Sequence, residues 1–433
     1  MPELLEPIDH GRIDPDALKV VRRLARYQHE AYFVGGCVRD LLLGRTPKDF
    51  DLATSATPSQ IKSLFRNCRI IGRRFKLVHI FFGPKIIETA TFRKNPRDEQ
   101  EGPEGAELDP TELLNSGDSL LIRRDNVFGT AEDDALRRDF TLNGLFYDPM
   151  ERRVIDFVQG REDLERGLIR TIGDPDVRFQ EDPVRALRAI KFAARLGLTI
   201  EPETFAAITR NRDHIPECAK ARVLEEIYRL LREGAAVRVM ELLIETGVQP
   251  VLLPELTPVV QDPERRELLF ARLGALDALG DELELTNAVI LGALSYTILV
   301  DPEALFRDRA NGSAALDEAL RGVLTSWTPS RRDRDRTRQM IMAQRRLLPY
   351  AGKRRRRRPM ALVSQDYFPE SLALYKLCCH TGEADPSTIE TWEGLYARVA
   401  DERPDRRGRS GRGRDRGTQR RRRRPRKRPP RKD

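Results

Sequence analysis

Residues 31–54, AYFVGGCVRDLLLGRTPKDFDLAT, restrict the fold more than any other stretch of the chain. AYFV is apolar and aromatic and stops at Gly35-Gly36, which predicts a buried strand and a turn. CVRDLLLG (37–44) then reads as a helix closed by Gly44. DFDLAT (49–54) alternates and reads as a second strand. Such a unit needs partners on both sides, and the flanking sequence supplies them. DALKVVRRLARYQ (16–28) places Leu18, Val21, Leu24 and Ala25 at helical spacing. TPSQIKSLF (57–65) opens with Thr then Pro, a helix start. LVHIFFG (77–83) and KIIETATFR (85–93) predict a hairpin around Gly83-Pro84. A helical pattern returns from Asp133 to Gly144, and VIDFVQG (154–160) reads as a last strand. Residues 16–175 are therefore expected to form one α/β domain after an irregular lead-in at 1–15.

Beyond about Asp176 the strand signal disappears. DPVRALRAIKFAARLG (182–197), PETFAAITRN (202–211), AKARVLEEIYRLLRE (219–233) and AAVRVMELLIETG (235–247) carry apolar stripes with glycine stops, predicting helices. A helical unit is expected over 176–250 and another over 251–400. The second is broken by the basic block KRRRRR (353–358) and resumes at about 366–399. Two segments cannot bury a core. Residues 94–119 are acidic and rich in Gly and Pro, and read as a mobile insertion. Residues 401–433 hold 17 Lys/Arg against 5 Asp/Glu and are expected to be a disordered tail.

That tail explains the charge. The chain carries +9 overall, yet the first 400 residues hold 60 Lys/Arg against 63 Asp/Glu, a net of −3. A localised basic run is the footprint of a polyanionic partner, although a solubilising extension would have the same composition. The five cysteines form no CxxC pair and their count is odd, which argues against a disulfide framework and a cysteine zinc site. The N-terminus lacks the pattern of a secretory signal and no run is long enough to cross a bilayer, so a cytoplasmic location is expected.

Asp49 and Asp51 stand at i and i+2, which on a strand puts both carboxylates on one face. Carboxylates so placed repel unless a cation neutralises them. Hard oxygen ligands suit Mg²⁺, with Mn²⁺ the alternative, in the layout of a two-metal phosphoryl-transfer site. Gly35-Gly36, on a strand-to-helix turn, would let backbone N–H groups approach a triphosphate. Arg39, one turn into the helix, could fork onto phosphate oxygens.

GGCVRDLLLG…KDFDLAT resembles the head of the class II nucleotidyltransferases, the bacterial poly(A) polymerases and tRNA CCA-adding enzymes. RRDFTLNGLFYD (137–148) resembles their second motif, and EDPVRALRAIKFAARLG (181–197) their nucleotide-selecting helix. The resemblance implies a polymerase-β-like α/β head, all-α neck and body domains, and the basic tail. It makes Asp49 and Asp51 the metal ligands, and assigns Gly36, Arg39 and Arg138 to the incoming nucleotide, with Arg137 less defined. Asp139 becomes the third active-site acid, with Glu88 on IIETATF as its rival. Read alone, Arg137-Arg138-Asp139 is equally a local ion-pair group capping a helix. Asp182 and Arg185 would read the base edge, with Arg188 one turn further on. Asp182-Pro183 is also what a plain helix start looks like, an Asp N-cap followed by Pro. Arg185, Arg188 and Arg195 give this helix a basic stripe.

Within the family, IIGRRFKLVHI (70–80) and RRDNVFGTAEDDALRRDF (123–140) resemble the poly(A) polymerase branch. The implied activity is template-independent addition of AMP from ATP to RNA 3′ ends, in RNA processing and decay. A CCA- or A-adding enzyme acting on tRNA is the close alternative. A non-catalytic RNA-binding protein is the alternative of another class. A metal-dependent nuclease would want a histidine beside the two aspartates, and none is adjacent in sequence.

Overall fold

The computed structural model describes residues 7–72, 76–94, 127–299, 317–318, 320–322, 327–347 and 359–402. The expected mobile insertion (94–119, beyond Lys94), the KRRRRR block and the tail from residue 403 lie outside the described residues.

Seven strands form one mixed sheet: β1 (Ala31–Val34), β2 (Leu52–Thr54), β3 (Cys68–Ile71), β4 (Leu77–Phe82), β5 (Lys85–Thr91), β6 (Leu145–Asp148) and β7 (Arg153–Asp156). Their order is β3-β4-β5-β2-β1-β6-β7. Only the β2–β5 pairing is parallel, with Leu52 opposite Thr89 and Ala53 opposite Ala90; every other neighbour is antiparallel. The predicted hairpin is β4–β5.

Two faces of this sheet are filled differently. Phe33, Leu52, Val78, Ile80, Ile87, Leu145 and Tyr147 join the main core, which runs without a break into the helical half. Val34, Ala53, Phe92 and Phe146 pack on Ala131 and Ala135 on the other face. Helix α1 (Pro15–Arg26) is N-capped by Asp14 and buries Ala17, Val20, Val21 and Leu24. Leu18 and Ala25, placed in this stripe by their spacing, lie at its edge, partly buried, with Leu18 packed against the core. Helix α2 (Gly36–Leu42) follows the glycine turn, and α3 (Pro58–Leu64) opens on a complete Thr57–Gln60 capping box.

Several expectations change. The strand predicted over 49–54 spans only Leu52–Thr54, so Asp49 and Asp51 sit on the chain entering it. The helix predicted over Asp133–Gly144 is a short helix, Ala131–Leu136, then the RRDF turn, then a single 3₁₀ turn at Thr141–Asn143. Strand β6 was not anticipated, because LFYD is buried on both faces and shows no alternation. A further strand pair, β8 (Leu168–Ile169) with β9 (Thr199–Ile200), interrupts the all-helical reading beyond residue 176.

The helices Pro175–Glu181, Val184–Leu196, Pro202–Asn211, Lys220–Arg232 and Ala236–Glu245 follow. Helices Pro263–Leu279, Asn287–Ile298 and Arg331–Leu347 come next. Phe368–His380 and Ile389–Glu402 pack with Leu347, Leu362 and Val363 in a separate cluster. The last helix runs two residues past the expected start of the tail. No helix among the described residues is long and apolar enough to cross a membrane.

Candidate active site

Phe50 is buried edge-on against Phe33, 5.4 Å between ring centroids, while Asp49 and Asp51 are exposed. The alternation expected of a strand therefore survives in the non-strand approach to β2, and both carboxylates leave the same side. The Asp51 carbonyl accepts a 3.1 Å bond from Val34 N–H, tying this approach to β1. One step upstream of the paired Leu52 and Thr89 stand Asp51 and Glu88, on the face away from the main core. Their proximity registers in the acidity of Asp51. Desolvation first, then the Glu88 charge, with a smaller contribution from Asp49, push its carboxyl up to about 6, against an opposing pull from Arg138. The residue keeps exposed surface yet is closely surrounded by protein, and that surrounding desolvates its carboxylate.

Arg138 is the cation facing this group. Its Nη2 lies 2.9 Å from Asp134 Oδ2 and its Nη1 donates to the Asn143 carbonyl at 3.3 Å. Gly35 makes room for it. That residue has φ +69° and ψ −126°, and a Cβ there would stand 3.0 Å from Arg138 Nη1. Gly36 has no such constraint, since a Cβ would meet only Arg39 Nη2 at 3.6 Å.

Arg39 does not project toward the carboxylates as a free phosphate fork. It is 3% exposed, bonds Asp40 Oδ1 through Nε (2.8 Å) and Nη2 (2.6 Å), donates from Nη1 to Asn143 Oδ1 (2.9 Å), and lies over the Phe192 ring. Asp139 likewise sits in its own pocket. Its Oδ1 accepts from Phe140 N–H and Asn143 Nδ2, and its Oδ2 from Arg188 Nε at 2.7 Å and Nη2 at 2.6 Å. Burial opposes its charge, but Arg188, Asn143 and Arg185 outweigh that and hold it below the usual carboxylate range.

The RRDF turn is indeed an ion-pair group, and its anchor is Asp134, which sequence reasoning missed. Asp134, 1% exposed, accepts from Arg137, from Arg138 and from the Arg93 N–H. Burial opposes its charge, and the two arginines overcome that and hold its carboxyl low. Asn143 was missed too. It bonds Arg39, Arg138 and Asp139 at once, and no charge marks it in the sequence.

Asp182 does not cap the following helix. Pro183 occupies the N-cap, and Asp182 ends the preceding helix with its carboxylate turned to Arg222, at 2.8 and 2.6 Å. The i, i+3 spacing does not bring the Arg185 guanidinium to the Asp182 carboxylate; Arg185 Nη1 instead meets Glu181 Oε2 at 3.0 Å and the Arg178 carbonyl at 3.1 Å. The basic stripe is thus neutralised internally, with Arg188 on Asp139 and Arg195 Nη1 3.3 Å from Glu233. One histidine does come close. Strand pairing sets His79 opposite Glu88, with Nε2 3.2 Å from Oε1.

Asp49, Asp51 and Glu88 offer only oxygen donors, and their mutual repulsion is what a divalent cation relieves. Among the described residues no three or more His, Cys, Asp or Glu side chains converge closely enough to hold an ion alone. The donor set fits an ion shared with substrate phosphates.

Residues 31–170 match the family described as Poly A polymerase head domain, and residues 197–259 match Probable RNA and SrmB- binding site of polymerase A. Residues 309–428 match Polymerase A arginine-rich C-terminus. The chain belongs to the class II nucleotidyltransferase family. It is 46% identical to poly(A) polymerase I of Salmonella typhi over 257 residues, 59% of this chain and 54% of that protein. It is 40% identical to poly(A) polymerase I of Haemophilus influenzae over 67% of this chain and 63% of that protein. Identity to the CCA-adding enzyme of Geobacillus stearothermophilus is 34%, over 55% and 54%. The chain spans about half the length of most of these relatives. In fold it is similar to the crystal structure of the Bacillus stearothermophilus CCA-adding enzyme in complex with CTP, with a TM-score of 0.63 at 24% identity, covering 89% of this chain and 83% of that one. The chain thus has the mixed-sheet head and helical remainder expected of the family.

Proposed function

We propose that the protein adds AMP from ATP to RNA 3′ ends without a template. The observation that carries this is the grouping of Asp51 with Asp49 and Glu88, faced by Arg138 across Gly35. Carboxylates beside a braced guanidinium match a triphosphate flanked by cations. The 3′ hydroxyl oxygen forms a bond to the α-phosphorus, the bond to pyrophosphate breaks, and the hydroxyl loses its proton. Asp49 and Asp51 would hold Mg²⁺ or Mn²⁺, whose chemistry is to offset charge on the reacting phosphates. Arg138 steadies the triphosphate. Glu88, adjacent to Asp51, takes the third acidic position. Asp139 fixes Arg188, and Arg39 braces the Gly35-Gly36 turn from below. Asp182 and Arg185 read the base edge where the Pro175–Glu181 and Val184–Leu196 helices meet.

The likeness to poly(A) polymerases at 40–46% identity, against 33–35% for CCA-adding enzymes, supports polyadenylation over CCA addition. RNA is the acceptor in either case, the tail a sequence-independent phosphate contact, and a reducing cytosol the setting. On this reading the neck is 176–250 and the body 251–400.

The test uses the full chain with Mg²⁺, a generic oligoribonucleotide, and tRNA lacking its terminal nucleotides, with each nucleoside triphosphate singly and together. A long ladder from ATP alone on generic RNA is the expected result. Extension that stops after one to three residues, only on tRNA, would assign CCA or A addition instead. RNA retention without extension, unaffected by Asp49→Ala, would leave a binding protein.

A further inference from the structure

The RRDF turn is gripped from the helical side by a residue that none of the motifs singled out. Arg178, in the Pro175–Glu181 helix, is 6% exposed. Its Nη2 donates to two successive carbonyls, that of Arg137 at 2.6 Å and that of Arg138. Arg137 is the C-cap of the Ala131–Leu136 helix, so these oxygens belong to a helix end whose carbonyls lack intrahelical donors. The same guanidinium places Nη1 2.9 Å from Glu181 Oε2, the atom that also receives Arg185. Arg185 closes the loop by donating to the Arg178 carbonyl.

We propose that Arg178 is a positioning residue that couples the base-reading start of the neck helix to the triphosphate-facing Arg138. This deepens the nucleotidyl-transfer reading and rests on it. One rigid fork spans a carboxylate and two carbonyls, so a shift of Glu181 and Arg185 on meeting a base moves the peptide that carries Arg138. A mismatched base leaves Arg138 misplaced by a fraction of an ångström, where positioning matters most for rate. Selectivity then appears in kcat as well as KM. Lysine cannot substitute, because one ammonium cannot span both carbonyls and the carboxylate in a fixed plane. The cost of the arrangement is visible: Nε is buried without a hydrogen-bond partner among the described residues, and burial, followed by the nearby Arg185 charge, pulls the guanidinium down to about 10. A plain helix cap would not require a buried cation also tied to the nucleotide-selecting helix.

The experiment measures kcat and KM for ATP and for CTP on one RNA primer with wild type, R178K and the milder R178Q. R272M serves as a destabilised control, because Arg272 is buried in the body on Glu383. Folded fraction is followed by circular dichroism, and R178A is assayed with and without added guanidinium ion. The expected result is a drop of tenfold or more in the ATP-over-CTP ratio of kcat/KM for R178K and R178Q, carried partly by kcat. R272M should keep the wild-type ratio, and guanidinium should partly restore it in R178A. A ratio within twofold of wild type in R178K or R178Q, with activity falling only as the folded fraction falls, reduces Arg178 to a helix cap and overturns the proposal. Wild type that adds no nucleotide at all would instead sink the functional reading.

Discussion

Arg188 Nη2 lies 2.6 Å from Asp139 Oδ2, joining the Val184–Leu196 helix to the turn that carries Arg138. The pair gives Asp139 a counter-charge, and on the proposed reading the third acidic position then falls to Glu88. Asp139→Asn should destabilise the fold by about 1–3 kcal/mol, the range for breaking a largely buried pair with one partly exposed partner. Glu88→Gln should leave stability nearly unchanged and lower kcat at least 100-fold. Urea melts beside single-turnover assays separate the two. A stable D139N with the larger catalytic loss would reverse the assignment.

The same carboxylate predicts an acid response. Asp139 is held below its ordinary value, so its contribution to stability is complete above the unfolded value of about 4 and is lost as pH falls toward the folded one. Asp134, also held low, adds in the same direction. Stability measured between about pH 2 and 4 should fall less steeply in D139N than in wild type. Equal slopes would mean the ion pair contributes nothing.

Asp51 predicts the opposite sign. Its folded value of about 6 is raised, so ionising it costs stability progressively as pH rises from about 4 through 6. Asp51→Asn should abolish nucleotide addition yet stabilise the fold at pH 7 by at most about 1 kcal/mol, discounted because the carboxyl meets solvent. The gain should vanish near pH 4. Mg²⁺ should raise the melting temperature of wild type and not of D51N; equal shifts in both would place the ion elsewhere.

The two neighbouring glycines should respond differently. Gly35→Ala meets both a positive φ and Arg138 Nη1, so about 1–3 kcal/mol of strain and a raised KM for ATP are expected. Gly36→Ala meets ordinary contact at 3.6 Å and should change stability by less than about 1 kcal/mol. Thermal melts and ATP kinetics on the two variants read this directly.

Arg222 donates to both oxygens of Asp182, and on the proposed reading this pairing aims the carboxylate at an amino group on the base. Half of its side chain is exposed, so Arg222→Met should cost no more than about 1 kcal/mol of stability. Discrimination between ATP and GTP should fall several-fold, measured by primer extension with each nucleotide alone. Unchanged discrimination would remove Arg222 from base selection.

What the sequence by itself determined was local. The Gly35-Gly36 turn, the Thr57 helix start, the β4–β5 hairpin and the helices from residue 184 to 245 follow from turn chemistry and periodicity, which act over a few residues. The spacing of Asp49 and Asp51 held because Phe50 between them is drawn into the core. Only the tertiary structure decided the pairings. Glu88 meets Asp51 through a parallel strand register set by the whole sheet. Asp139 finds Arg188 49 positions away, Asp182 finds Arg222 40 away, and Arg178 reaches back 41 and 40 residues to the turn. A charge in a sequence states its sign and its reach, and which partner neutralises it is settled by packing, since a buried ion is tolerated only where the fold supplies its counter-charge.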